Sequence, residues 1–404
     1  MKTIMKTILA TLVIGFVLFA FSSPVFSQGR FPLKPTELDE ADQRAMWMMQ
    51  NYMSMSLDKP EQLKQPPKDI SENVSYLVAP VGPEEILLLF DGGSVPKKFY
   101  VDSDRDGDLS DEKPFEGENG RSGLVFKNVL IGAAQKEKSA AKVNIQVWSR
   151  SGRAAYIAIT PSECYAGNVK LGDTTHEVAF IDADFDGRCG SVFVPPFARG
   201  RQAFDFMAFD KNANGTFDVL NPMREVFPLP RMLNVGETYY SLKLEPDGSA
   251  VTIEKAKPEF GTLEVGSADM EVVLYSDAGM YQLFGSEKYT IPPGKYQLMA
   301  LLLKGTDEEG HKWELQSSRG FSAFDNFEIV TGEKSRMEAG PPLTVATDVR
   351  KSGNSVRLSV SVKGRMGEEY PAGATKNDGR QSAPDFKILD ESGKTLVTGS
   401  FRYG

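Results

Sequence analysis

Three short stretches constrain this chain more than anything else in it. Asp102-Ser103-Asp104-Arg105-Asp106-Gly107, Asp182-Ala183-Asp184-Phe185-Asp186-Gly187 and Asp210-Lys211-Asn212-Ala213-Asn214-Gly215 each carry side-chain oxygens at positions 1, 3 and 5 and glycine at position 6. At ordinary residue frequencies such a hexapeptide is expected roughly 0.03 times in a chain of this length, so three form a signal. Alternate residues turn their oxygens into one small loop, glycine permits the tight turn, and position 7 offers a backbone carbonyl. That is the oxygen set calcium asks for. Carboxylates about 5 Å apart repel by roughly 3 kcal/mol at an effective dielectric of 20, so their clustering makes sense around a cation. The competing reading is that aspartate, asparagine and glycine simply make surface turns between strands.

What flanks these loops sets the fold class. The residues entering them, 99–101, 178–181 and 204–209, are apolar and aromatic, and similar runs lie at 75–78, 86–90, 98–101, 141–148, 154–159 and 177–181. Their lengths and alternation predict antiparallel strands. Without helical segments between them they predict sandwiches or barrels rather than an α/β sheet, so the fold class is mainly β. One helix is expected first, over 37–56, where Leu38, Ala45, Met46, Met49, Tyr52 and Met53 recur at helical spacing. Its methionines suit a buried face better than a copper(I) site. Pro60, Pro66 and Pro67 then break the pattern and make 59–69 a linker.

The three loops resemble the calcium loops of the EF-hand and dockerin-like superfamily over about 12 residues each. The resemblance implies calcium as the cofactor. In loop one it implies ligation by Asp102, Asp104, Asp106 and the Asp108 carbonyl, and Glu112 is expected to substitute for the family's bidentate glutamate. Loop two supplies Asp182, Asp184 and Asp186; loop three supplies Asp210, Asn212, Asn214, Thr216 and Asp218. Position 12 departs from the family in all three, being Lys113, Phe193 and Asn221, and loop two has the poorest ligand set. Strands rather than helices enter the loops, so a calmodulin-style opening is not expected.

Further along, the runs at 260–265, 270–275 and 289–298, with Pro292-Pro293-Gly294-Lys295-Tyr296 between strands, resemble carboxypeptidase regulatory-like and PEGA-type domains. This implies a small prealbumin-like sandwich, an accessory module of bacterial envelope proteins. The expected organisation is a signal peptide at 1–27, helix and linker at 28–69, a β domain carrying the loops at 70–258, the regulatory-like sandwich at 259–345, and a C-terminal β segment or small sandwich at 346–404.

Composition narrows the function. With 55 acidic against 46 basic residues, a net charge of −9 and no basic block, the footprint of a nucleic-acid binder is missing. Two histidines and two cysteines are too few for zinc clusters or iron–sulfur centres, so a metal here is held by oxygen. Lys2 and Lys6, the uncharged run 8–21 and the small residues before Gln28 form an export signal. That run of 14 residues is short of the roughly 20 that span a bilayer, so no retained membrane span is expected. In the oxidising compartment this implies, Cys164 and Cys189 are expected to form a disulfide.

No nucleophile elbow accompanies His176 or His311, each of which is expected at a surface or strand edge. The expectation is therefore an exported, calcium-binding, non-catalytic interaction or structural protein, secreted, periplasmic or at the cell surface. Its partner would be an envelope or extracellular protein or polysaccharide. The alternative is an extracellular hydrolase of a polymer such as polysaccharide, with two carboxylates flanking a cleft in 70–258 and calcium as a structural ion.

Overall fold

The computed structural model describes residues 29–38, 51–82, 84–92, 96–120, 123–131, 140–150, 153–195, 204–217, 225–317, 326–353, 355–370 and 374–402. Among these the chain is mainly β. Its strands pair antiparallel, except that Gly261–Val265 runs parallel to Lys334–Met337.

Core one lies between two sheets. One runs in the order Val226–Pro228, Phe206–Phe209, Thr174–Ile181, Glu163–Leu171 and Lys34–Glu37; the other runs Gly29–Pro32, Ala250–Ala256, Thr238–Leu244 and Met232–Val235. Val178, Phe180, Phe209, Leu233, Val251 and Ile253 meet between them. The central strand ends in four consecutive buried residues, Val178 to Ile181, the continuous apolar run of a strand covered on both faces.

Core two lies between the sheet Asn51–Ser54, Arg153–Pro161, Ala141–Arg150, Gly123–Ile131 and Glu118–Gly120 and the sheet Val74–Val81, Glu84–Asp91, Lys98–Val101 and Phe115–Glu116. Along Glu84–Asp91 the side chains divide by parity: Ile86, Leu88 and Phe90 enter core two, while Leu87 and Leu89 face the other way. Leu63, Tyr100 and Leu109 cover that second face, so the proline-rich stretch after Lys59 is a lid on the sheet as well as a connector.

Core three gathers Leu263, Val272, Leu274, Tyr281, Tyr296 and Leu301. Strand Met270–Ser276 serves two cores, because Val272 and Leu274 point into core three while Val273 and Tyr275 point into core one. The Pro-Pro-Gly-Lys-Tyr turn is pinned by its tyrosine: Tyr296 is fully buried and its hydroxyl donates to the Pro292 carbonyl at 2.7 Å. Two C-terminal hairpins follow, Thr344–Ser352 with Ser355–Lys363 and Asp385–Leu389 with Thr395–Ser400.

Both described ends of the stretch expected to be helical are strand. Lys34–Glu37 pairs with Glu163–Leu171, and Asn51–Ser54 pairs with Arg153–Pro161; residues 39–50 lie outside the described residues. At its C-terminal end the pattern has period two: Tyr52 is exposed, Met53 packs on core two, and Met55 is buried in it. Two methionines thus serve packing.

The expected disulfide is absent, and Cys164 and Cys189 are buried thiols. Cys164 is buried in core one, and Cys189 lies in the segment after loop two, beside Tyr165. His176 is also corrected. It is 4% exposed, stacks on Phe209 at 4.9 Å, and its Nδ1 lies 2.8 Å from the Asp210 carbonyl. Among the described residues no helix is long and apolar enough to cross a membrane.

Candidate metal centres

Each acidic loop leaves the end of a strand: loop one follows Lys98–Val101, loop two Thr174–Ile181, loop three Phe206–Phe209. The last two strands are antiparallel neighbours, which sends loops two and three to opposite ends of one sheet.

The three loops share one internal hydrogen-bond pattern. The glycine amide at position 6 donates to Oδ2 of the first aspartate: Gly107 to Asp102 at 3.1 Å, Gly187 to Asp182 at 2.8 Å and Gly215 to Asp210 at 2.8 Å. The amide at position 5 donates to the side chain at position 3, in Asp106 to Asp104, Asp186 to Asp184 and Asn214 to Asn212. The amide at position 7 donates to the side chain at position 5, in Asp108 to Asp106, Arg188 to Asp186 and Thr216 to Asn214. Position 4 is left-handed in each, with φ of 60° at Arg105, 60° at Phe185 and 55° at Ala213. Amides and side chains thus curl the backbone around the positions where oxygens converge.

The loops differ at one atom. In loop one Asp102 is 4% exposed and its Oδ1 is closed off from solvent with no hydrogen-bond partner; Asp182 Oδ1 in loop two is in the same condition. A buried carboxylate oxygen left unpaired is costly, and carboxylate oxygens of Asp104 and Asp106, or of Asp184 and Asp186, lie within 4.8 Å. A hard cation fits that donor set. In loop three both oxygens of Asp210 are occupied, Oδ1 taking the Asn214 amide at 3.0 Å.

Neighbouring segments brace the loops. Lys64 and Gln65 donate their amides to the Gly107 carbonyl, Lys64 Nζ reaches the Asp106 carbonyl at 2.5 Å, and Arg105 pairs with Glu84. Oε1 of Glu112 receives the Ser103 amide at 2.8 Å and its hydroxyl at 2.5 Å, so this oxygen ties the loop closed. In loop three the Lys211 amide donates to buried Glu225 at 3.2 Å; Asp218 lies outside the described residues.

Loop two gains a carboxylate that its own sequence window does not contain. Asp205, 1% exposed, receives the Ala183 amide on Oδ1 at 3.2 Å and the Gly190 and Ser191 amides on Oδ2 at 2.7 and 2.9 Å. Burial raises the proton affinity of Asp182 well above the usual carboxylate range, and the charge of Asp205 is the next cause; burial and then Asp184 raise that of Asp205. In loop one burial raises that of Asp102, opposed by the Gly107 amide and reinforced by Asp104 and Asp106. Asp205 sits in the apolar run Phe204-Asp205-Phe206, and a charge inside such a run is the one sequence signal that points to it; Glu225 follows Arg224 and precedes the strand Val226–Pro228, so no such signal marks it.

Other buried carboxylates are tied into the protein. Glu271 meets Lys304 at 2.6 Å and the Gln282 amide group, while Glu368 receives the Tyr370 hydroxyl at 3.0 Å and the Gly340 amide. A cavity of about 210 Å³ beside loop one is lined by Lys64, Ile86, Asp102, Arg105 and Asp106. This is below the roughly 300 to 1,000 Å³ of organic-ligand sites. No family model, curated protein or solved structure matches this chain.

Proposed function

We propose that this is an exported calcium-binding protein that acts without catalysis, as an interaction or structural component of the cell envelope or extracellular space. The observation that carries this reading is the unpaired, solvent-excluded Oδ1 of the first aspartate in both loop one and loop two. A carboxylate oxygen of each of these aspartates lies within 4.8 Å of oxygens from two further carboxylates. Calcium placed among them would satisfy the orphan oxygen, offset the mutual repulsion and stiffen the strand ends that carry the loops. Loops one and two are the stronger sites and loop three the weaker.

Export follows from the charged, apolar and small-residue pattern of residues 1–27. The partner is an envelope or extracellular protein or polysaccharide, presented to sheets whose loops calcium holds rigid. Isothermal titration of the metal-stripped protein with calcium and then magnesium tests the reading. Saturable calcium binding that Asp102→Asn and Asp182→Asn each reduce by one ion supports it, and heats no larger than those of buffer overturn it.

A further inference from the structure

We propose that loop two is a metal-closed clasp between cores one and two, with the buried Asp205 bracing the loop backbone that holds its ion. This rests on the calcium reading above and deepens it. The clasp is written in the alternation of the loop. Asp182, Asp184 and Asp186 supply oxygens, while the residues between them are anchored in different places: Ala183 is buried in core one and Phe185 in core two. Fixing the three carboxylates on one ion therefore fixes the two anchors relative to each other.

A third anchor comes from the turn between Val74–Val81 and Glu84–Asp91. The Gly82 amide donates to the Asp184 carbonyl at 2.8 Å, and a Cβ on Gly82 would stand 2.5 Å from that of Asp186. The edge of core two is thus pressed directly on the metal-binding loop.

Asp205 enters from the start of the strand Phe206–Phe209, which pairs with the strand preceding the loop, Ile181 facing Phe206. Its three amide bonds hold it against the loop backbone. Independently of that arrangement, Asp182 Oδ1 is sealed from solvent with no donor. Asp182, Asp184 and Asp186 bring carboxylate oxygens within 4.8 Å of one another, and a divalent oxygen-seeking cation is the ligand whose chemistry matches.

The test compares wild type and Asp182→Asn by calcium titration and by calorimetric unfolding in calcium and in chelator. The clasp predicts that the variant loses one calcium per chain, or binds one at least tenfold more weakly, while the loop-one ion remains. It also predicts that in wild type cores one and two unfold together in calcium and separately in chelator. If Asp182→Asn loses one calcium yet wild type unfolds with the same cooperativity in calcium and in chelator, the ion does not join the cores and the proposal falls, though the calcium reading stands. If wild type binds no calcium, both fall. Should Asp182→Asn fail to fold, hydrogen exchange of wild type decides: calcium must slow exchange in 182–187 and in the 81–84 turn together, and slowing on one side only overturns the clasp.

Discussion

Ala183 and Phe185 stand two residues apart in one loop and are buried in different cores, Ala183 beside the strand that ends at Ile181 and Phe185 among the side chains of core two. Phe185 reaches core two from a left-handed backbone, at φ 60°. That conformation costs a non-glycine residue roughly 1 to 2 kcal/mol, and burying its ring returns about 2 to 3 kcal/mol. The side chain therefore holds the loop in the curl that brings its carboxylates together.

Phe185→Ala should destabilise the protein by about 3 kcal/mol or more, the usual range for removing a buried phenylalanine. It should also reduce the extra stability that calcium confers, because the loop loses one anchor. Urea unfolding in calcium and in chelator measures both, and a loss below about 1 kcal/mol would contradict the assigned packing.

Two glycines at the same loop position separate backbone strain from packing. Gly107 has φ 81° and an added Cβ would meet the Gln62 carbonyl at 2.3 Å, whereas Gly215, at φ 79°, has nothing within 4 Å. Gly215→Ala should cost about 1 kcal/mol from conformation alone. Gly107→Ala should cost clearly more, since it also pushes away the segment whose Lys64 and Gln65 amides bind the Gly107 carbonyl. Equal losses would contradict this.

The Asp307 carboxylate receives the Trp313 indole N–H and the His311 amide, each at 2.8 Å. These bonds, the indole first, hold its proton affinity below the usual carboxylate range. A carboxylate depressed in the folded state stabilises the turn that joins the paired strands Gly294–Thr306 and Lys312–Gln316 at pH above its ordinary value of about 4, and that contribution is lost as pH falls through the folded value. The Trp313 indole N–H resonance should stay unchanged down through pH 4 and shift only below it. In Asp307→Asn the acid-dependent shift should vanish. A wild-type midpoint at about 4 would contradict the assignment.

Both cysteines should be found reduced. Cys189 is buried beside Asp205 and Asp182, and burial followed by these charges pushes its thiol far above its ordinary value, so little thiolate forms. The folded protein should react slowly with a thiol reagent, and the chain unfolded without reductant should yield two thiols. Zero thiols would establish a disulfide and contradict the structure.

What was legible in the sequence is what local physics fixes. The run 98–101 is the strand Lys98–Val101, and 141–148 and 154–159 fall within the strands Ala141–Arg150 and Arg153–Pro161, because apolar or alternating segments between turn residues leave few other conformations. The curl of the acidic loops was likewise readable, since every bond from position 6 to 1, 5 to 3 and 7 to 5 is made within the hexapeptide and its next residue.

The rest depends on contacts that spacing does not encode. Asp205 and Glu225 join loops two and three from other strands, so a window of 12 residues contains neither. For this reason loop two, with the poorest ligand set in its own window, is braced by a carboxylate that only the folded chain brings to it. Met53 and Met55 also fit either a helical face or an alternating strand, and pairing with Arg153–Pro161 decides in favour of the strand. The disulfide was read from an even count of cysteines, which says nothing about where the fold buries each side chain.

The central claim is tested most directly by thermal unfolding of the protein in millimolar calcium, in magnesium and in excess chelator. Calcium at 100 times its dissociation constant adds about 2.7 kcal/mol per site, which should raise the midpoint by several degrees for the cores that carry loops one and two. The account predicts a rise with calcium that magnesium does not reproduce and chelator reverses. Identical midpoints in all three conditions would reduce the acidic loops to turns between strands and contradict it.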